Sequence, residues 1–440
     1  MKAIFLIWCF CPALLFGFSA SRKAEGFFTD SQKALKLAES EGRPLLISFF
    51  GIWCPPCNEL EETVFEGREF LERAKEFVLL KVDADAKESW PLKDKYQVGG
   101  YPTVVFANPK GEEIYRVVGY RSPKAFVKVM DLVLSAKNSS LAESCSSSDP
   151  ESLWRCGVIC SERKDIDCAT KAFKTLQPKL ESDSTRALMA KEFFVSHSEN
   201  EDLKKMGFEQ LMKAHPKRPH AILWAYSYKN LMDEHSKMKP KKDLVMKVID
   251  HSKEMEASTE LDDLGITPSD VIQIRAILQG WLGMPKEAKE TWAYAAEKLE
   301  QLSNSLPKGS HARGFALEQI SCLEQAGKEN EALKLGNEYR ERFPEEFTFH
   351  YLVGSIQFRK NQYAKAVEPL TQAYEKSYGD NRIRSATLLI QVLGTLGDGE
   401  QALKVYRSVK DSITPNSDLK IRTHRYLKAL EQAWAKTSKT

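Results

Sequence analysis

The chain has 440 residues, and its 64 lysines and arginines nearly balance 61 aspartates and glutamates. That length accommodates two or three domains, each able to bury its own core. A charge balance this even supplies no field to draw the protein onto nucleic acid or an anionic membrane, so no nucleic-acid partner is expected.

Met1-Lys2 is followed by an apolar run from Ala3 to Phe18 that closes on the small residues Ser19, Ala20 and Ser21. A charged start, apolar middle and small-residue end describe a secretory signal peptide, assigned to residues 1–20 and cut near Ser19–Ala20. The run is shorter than the ~20 residues a spanning helix needs, although a retained anchor is the alternative. Cys9 and Cys11 lie inside it and are not counted with the cysteines of the mature chain. No later stretch is long and apolar enough to span a bilayer. The expected location is therefore periplasmic or secreted, or membrane-anchored if the segment is kept, where disulfides persist.

From Phe27 to Leu134 helical and extended patterns alternate. Ser31–Ser40 is expected as a helix, Pro44–Phe50 as a buried strand and Cys57–Lys75 as one helix. Phe77–Val82 then reads as a strand and Pro91–Tyr96 as a helix. Thr103–Ala107 and Ile114–Val118 form a hairpin around Asn108-Pro109-Lys110-Gly111, and Pro123–Leu134 is a last helix. The order predicts a central mixed sheet flanked by helices over residues 27–135.

Residues 136–150, AKNSSLAESCSSSDP, are Ser-rich and read as a linker. Beyond Glu151 the apolar spacing is helical throughout. Residues 151–266 carry no period. From residue 267 onward a motif recurs: Gly283 to Ala288, Gly327 to Ala332, Asn361 to Ala366 and Gly397 to Ala402. Its alanines are 44, 34 and 36 residues apart. A period near 34, with Gly at a turn and a small Ala between close helices, resembles the tetratricopeptide repeat over Thr267 to Val409. Pro344 and Gly354 also occupy positions where such repeats favour Pro and a small residue. A generic antiparallel bundle is the alternative. Stacked repeats form concave surfaces, so residues 267–440 are expected to bind a partner protein.

The run Pro44 to Cys57 passes from a strand straight into a helix at Trp53-Cys54-Pro55-Pro56-Cys57. Dithiol exchange needs a thiolate, and a cysteine at a helix N-terminus meets unpaired N–H groups and the positive end of the dipole. Cys54 takes that position as nucleophile. Cys57, one turn further in, is the thiol that resolves a mixed disulfide. The Pro-Pro spacer fixes two φ angles and removes two N–H donors, which predicts a less acidic Cys54 than in a strong oxidant and a reducing or mildly isomerising role.

Further downstream is Val98-Gly99-Gly100-Tyr101-Pro102-Thr103. With Phe49 to Cys54 and the run Glu59-Leu60-Glu61-Glu62-Thr63-Val64-Phe65, it makes residues Phe28 to Leu134 resemble the thioredoxin family. The resemblance is closest to the C-terminal periplasmic domain of the DsbD thiol-reductant proteins. It implies electron transfer between protein thiols and disulfides without a dissociable cofactor, and an upstream redox partner protein. It also implies a cis proline at Pro102, with Tyr101 pairing an incoming chain. Only an X–Pro bond makes cis cheap enough to keep. Trp53, Tyr101 and Pro102 would shape the docking surface. Thioredoxins usually carry a buried Asp six residues before the first cysteine, where this chain has Ser48. Glu61 matches the acidic residue of the DsbD-type domain and lies one turn after Cys57, so it is assigned proton transfer. The alternative is a solvated carboxylate, as Glu59 and Glu62 are acidic too.

Other readings of Cys54 and Cys57 find less support. The N-terminal domain has no His and no other Cys for zinc, and no metal is assigned. An inert disulfide leaves Trp53 and Tyr101-Pro102 unexplained, and a Cys–His hydrolase lacks its base, since the first His is His197. Cys145, Cys156, Cys160 and Cys168 are expected to form one or two structural disulfides with three pairings open, or else a second redox or metal centre. Cys322 is expected as a buried free thiol. The overall expectation is an α/β thioredoxin fold followed by all-α repeats, acting as a thiol–disulfide oxidoreductase. A repeat-based scaffold that uses the first domain for docking is the alternative.

Overall fold

The structure is a computed structural model that describes residues 26–235, 238–412 and 421–438. The run assigned as a signal peptide lies outside them. Five strands form one sheet: β1 (Phe27–Phe28), β2 (Leu45–Phe50), β3 (Val78–Asp83), β4 (Thr103–Ala107) and β5 (Glu113–Val118). Their order is β1-β3-β2-β4-β5, with β3 parallel to both β1 and β2, and with β4 antiparallel to both β2 and β5. The mixed sheet expected from the sequence is thus present, with β1 as an added edge too short to be read from periodicity.

Alternation along the central strands sends successive side chains to opposite faces. Leu45, Ile47 and Phe49 face a layer containing Ala34, Ala38, Leu92 and Tyr96, from α1 (Ser31–Glu41) and the segment around the helix Trp90–Lys95. Leu46, Val104 and Phe106 face Leu60, Phe65, Phe70 and Phe126 on the other side. Those residues come from α2 (Pro55–Leu60), a π-helical turn (Glu61–Phe65), α3 (Arg68–Ala74) and α5 (Pro123–Ser135), while α4 is Trp90–Lys95. The single helix expected over Cys57–Lys75 is corrected. The chain breaks at Gly67, which is extended (φ −73°, ψ 142°) and caps α3.

The rest of the described chain is helical. Within residues 136–150 lies α6 (Leu141–Ser146), closed by a capping box between Ser140 and Glu143. Then come α7 (Pro150–Glu162), α8 (Ile166–Leu176), α9 (Thr185–Ser196), α10 (Glu201–Ala214), α11 (Pro219–Glu234), α12 (Lys242–Met255) and α13 (Leu261–Leu264). Four hairpins follow: α14 (Pro268–Trp281) with α15 (Pro285–Ser305), α16 (Arg313–Gln325) with α17 (Glu329–Arg342), α18 (Phe347–Arg359) with α19 (Tyr363–Lys376), and α20 (Gly379–Thr395) with α21 (Gly399–Ser412). The chain ends in α22 (Ile421–Thr437).

The repeat motif maps onto these hairpins. Gly283, Gly327, Asn361 and Gly397 have φ of 84°, 78°, 57° and 79°, the left-handed conformation that reverses the chain between paired helices. Ala288, Ala332, Ala366 and Ala402 are buried in the contacts. A Cβ on Gly354 would stand 2.5 Å from Leu370 Cγ, so α18 and α19 meet where one helix has no side chain. The long first interval has a cause: α15 runs for 21 residues against 14 for α17 and α19. The region is an all-helical, tetratricopeptide-like array.

Inner helices of these hairpins reach the α/β unit. α16 packs against α2, and the start of α20 meets the loop after β3. Further contacts come from α13, where Asp262 accepts from the Ser122 N–H and hydroxyl (both 2.8 Å), and from Arg163 after α7, which pairs with Glu113 of β5.

Candidate functional site

Cys54 is the N-cap of α2, with Pro55 and Pro56 filling the first helical positions. Proline is tolerated there because those N–H groups have no intrahelical acceptor. The Cys57 N–H and Asn58 N–H both donate to the Cys54 carbonyl, at 3.1 and 3.2 Å. The Asn58 amide clasps the same turn, donating to the carbonyls of Ile52 and Cys54 at 3.0 Å each. Cys54 and Cys57 are joined as a disulfide. Both are nearly sealed, at 3% and 6% exposure, so a reagent has almost no direct approach to either sulfur.

Trp53 stands edge-on to Tyr101, with ring centroids 6.0 Å apart, and its indole N–H donates to Asp85 Oδ2 at 2.5 Å. Gly51 allows this: a Cβ there would lie 2.8 Å from the indole ring. The Tyr101–Pro102 peptide bond is cis, and the Pro102 carbonyl accepts from Gly119 N–H at 3.0 Å. Trp53, which directly precedes Cys54, and Tyr101, distant in sequence, are therefore in contact.

Glu61 sits in the π-helical turn and its carboxylate binds Lys81 Nζ at 2.5 Å. Lys81 is on β3 directly opposite buried Ser48 of β2 and lies 4.8 Å over the Phe50 ring. The Glu61 carboxylate is half-buried and ion-paired.

Several residues that sequence reasoning passed over shape the site from the helical region. Asp85 accepts a second hydrogen bond from Asn381 Nδ2 at 2.8 Å, and Asp83 accepts from the Tyr378 hydroxyl at 2.5 Å. Glu62, buried, accepts from the Arg313 N–H at 3.1 Å. A Cβ on Gly314 would lie 2.6 Å from the Pro55 carbonyl oxygen and 2.7 Å from Glu59 Cγ. A cavity of about 210 Å³ is walled by Trp53 and Pro55 on one side and by Leu317, Phe347, Tyr351 and Arg384 on the other. None of these partners could be paired from sequence, because each pair is separated by more than 200 residues.

Glu59 is buried at this junction and its Oε1 has no hydrogen-bond partner. Burial pushes its carboxyl well above the ordinary range, and the charges of Glu318, Asp270 and Glu62 add to the effect. Glu318 accepts from Ser269 Oγ and Gln273 Nε2 at 3.3 and 3.2 Å, yet burial and Asp270 raise it to about 8. Glu318 is thus largely a carboxylic acid at neutral pH, and Glu59 is pushed in the same direction, because taking a carboxylate out of water is so costly.

The remaining cysteines resolve as Cys145–Cys156 and Cys160–Cys168, one of the three pairings left open by the sequence. Cys322 is buried and free, its thiol pushed up by burial and by Glu318.

Residues 31–134 match the family model of a thioredoxin-like domain. Thiol:disulfide interchange proteins match stretches of similar length. DsbD 2 of Pseudomonas aeruginosa is 35% identical over 96 residues, which is 20% of this chain and 16% of that protein. DsbD of Vibrio cholerae is 27% identical over 103 residues, 22% of this chain and 17% of that protein. The chain thus spans about one sixth of the length of these relatives. A solved thioredoxin from Thermus thermophilus is 29% identical, covering 26% of this chain and 89% of its own, with a TM-score of 0.24. A tetratricopeptide repeat protein from Parabacteroides merdae is 11% identical, covering 66% of this chain and 98% of its own, with a TM-score of 0.39. The N-terminal unit is a thioredoxin-like domain with a pair of cysteines able to form a disulfide.

Proposed function

We propose that the protein is an exported thiol–disulfide oxidoreductase that reduces or isomerises protein disulfides. The observation that carries this reading is the Cys54–Cys57 disulfide on the first turn of α2, directly after Trp53, whose ring meets Tyr101. In the reduced form the Cys54 thiolate attacks one sulfur of a substrate disulfide and expels the other as a thiolate. Cys57 then attacks Cys54 Sγ, forming the disulfide and releasing the second substrate thiolate. Two electrons pass to the substrate, and the two protons from Cys54 and Cys57 end on its thiols. An upstream dithiol protein restores the pair, as the interchange activity named for the relatives suggests.

Glu61 takes the Cys57 proton in this scheme and returns it to the departing thiolate, with Lys81 stabilising the carboxylate between transfers. Trp53, Tyr101 and Pro102 form the docking surface. Export rests on the apolar run Ala3–Phe18, and among the described residues no helix is long and apolar enough to cross a membrane. Residues 27–135 would be the exchange domain and the repeats from 267 onward would select the partner, with part of their inner face already engaged by that domain.

Insulin reduction with Cys54→Ser as control tests the assignment. Activity that requires Cys54 is expected, and activity that survives its loss overturns the reading. Cys57→Ala should accumulate mixed disulfides on Cys54 in cells and identify substrates. One observation favours a second reading, a scaffold that uses the first domain for docking: both sulfurs are sealed. Complete inactivity of the native protein would select it.

A further inference from the structure

Cys145 on α6, Cys156 and Cys160 on α7, and Cys168 on α8 converge so closely that all four sulfurs lie within 4.8 Å of one another. Cys168 Sγ is 3.8 Å from Cys156 Sγ and 3.9 Å from Cys145 Sγ, neither of which it is bonded to. Among the described residues no other group of three or more His, Cys, Asp or Glu side chains gathers its ligand atoms this tightly. Two separate staples do not require this. A disulfide constrains its own pair and leaves the distance to a second pair free.

Four sulfurs around one point are what a tetrathiolate metal site requires. With Zn–S bonds of about 2.3 Å, the edge of the sulfur tetrahedron is about 3.8 Å, matching the two non-bonded separations. The helices supply the rest. Cys156 and Cys160 stand one turn apart on one face of α7. Cys168 is the third residue of α8, at the positive end of that helix, which favours its thiolate. Leu153, Trp154, Ala169 and Phe173 wall the cluster, while Cys145 and Cys168 keep partial exposure and so leave a way in for a metal.

We propose that these four cysteines form a two-state centre: two disulfides when oxidised, and a tetrathiolate site for one Zn²⁺ when reduced. Reduction takes four electrons and four protons from two molecules of a dithiol, each of which becomes a disulfide. Zn²⁺ then displaces the four thiol protons and ties α6, α7 and α8 together in place of the two covalent bonds. The centre is separate from Cys54 and Cys57 and does not depend on their assigned activity.

The test uses the full chain with Cys54→Ser and Cys57→Ser, which removes the other dithiol. The protein is reduced with a phosphine without oxygen, given Zn²⁺ and freed of excess metal. One zinc per chain is expected, with Cys145, Cys156, Cys160 and Cys168 protected from alkylation in peptide maps. Reduced native-sequence protein given Co²⁺ should show the visible bands of a tetrahedral thiolate site, a readout that needs no substitution. Less than about a tenth of an equivalent of zinc overturns the proposal, as does zinc retained undiminished by Cys156→Ser with Cys168→Ser. Absence of the cobalt bands overturns it as well. Loss of insulin reduction in the same chain concerns only the first centre.

Discussion

Gly314 lies against Pro55, the residue directly after Cys54, so closely that a Cβ would come within 2.6 Å of the Pro55 carbonyl oxygen. Backbone on one side of this contact meets backbone on the other, and a flexible side chain cannot make room. Gly314→Leu is therefore expected to lift α16 off α2 at a cost of about 1–3 kcal/mol, typical of overpacking. It should speed reduction of Cys54–Cys57 by a soluble dithiol, because the sulfurs are sealed in the closed arrangement. Stopped-flow measurement of that reduction, with thermal melting alongside, checks it. An unchanged rate in a destabilised variant would mean that the helical region does not shield the disulfide.

The acids beneath this junction make stability depend on pH. Glu318 is raised from 4.5 to about 8 in the folded chain by burial and by Asp270, and Glu59 is raised by burial and by Glu318. Below about pH 4.5 folded and unfolded forms both hold the proton. Between there and about pH 8 the unfolded chain has lost it while the folded chain keeps it, so stability falls as pH rises. Above about pH 8 both have lost it and the Glu318 contribution to the slope ends. Glu318→Gln should flatten the fall, raising Tm relative to the native protein at the alkaline end, with an effect on the order of a few kcal/mol. Melting curves taken across this window decide it, and parallel curves would contradict it.

Glu61 and Lys81 offer a test of proton handling separate from the nucleophile. Glu61→Gln is expected to slow turnover on the order of 10²-fold, the lower end of what a positioned acid–base group contributes, and to change the pH–rate profile. Lys81→Met, which removes the partner 2.5 Å away, should alter the same profile. If both variants melt lower but keep the native profile, the pair serves structure alone.

Glu113 is fully buried on β5, where it binds Arg116 Nε at 2.5 Å and also pairs with Arg163 from the helical region. Glu113→Ala leaves the Arg116 guanidinium buried without its carboxylate, a change that typically costs about 3–5 kcal/mol. Arg163→Ala removes only the outer, partly exposed partner and should cost about 1–2 kcal/mol. Chemical denaturation of the two variants measures the difference, and equal losses would mean that the two arginines are interchangeable.

The dithiol motif, the strand that precedes it and the Tyr101-Pro102 turn were legible because each is a local pattern: a run of apolar residues, a two-residue spacer, a proline opening a strand. The repeat turns were legible for the same reason, since Gly283, Gly327, Asn361 and Gly397 each answer a conformational demand made within a few residues. Glu59 and Glu62 were not. As a sequence they are two acids on an amphipathic helix; their burial depends on Glu318 and Arg313, which the chain brings over them only after some 250 further residues. The four cysteines fall between these cases. Their number and neighbourhood were visible, but which bonds to which, and the meeting of all four sulfurs in one place, followed only from the packing of three helices. Short-range chemistry is written residue by residue, whereas what shields or charges a site is set by contacts whose partners no periodicity connects.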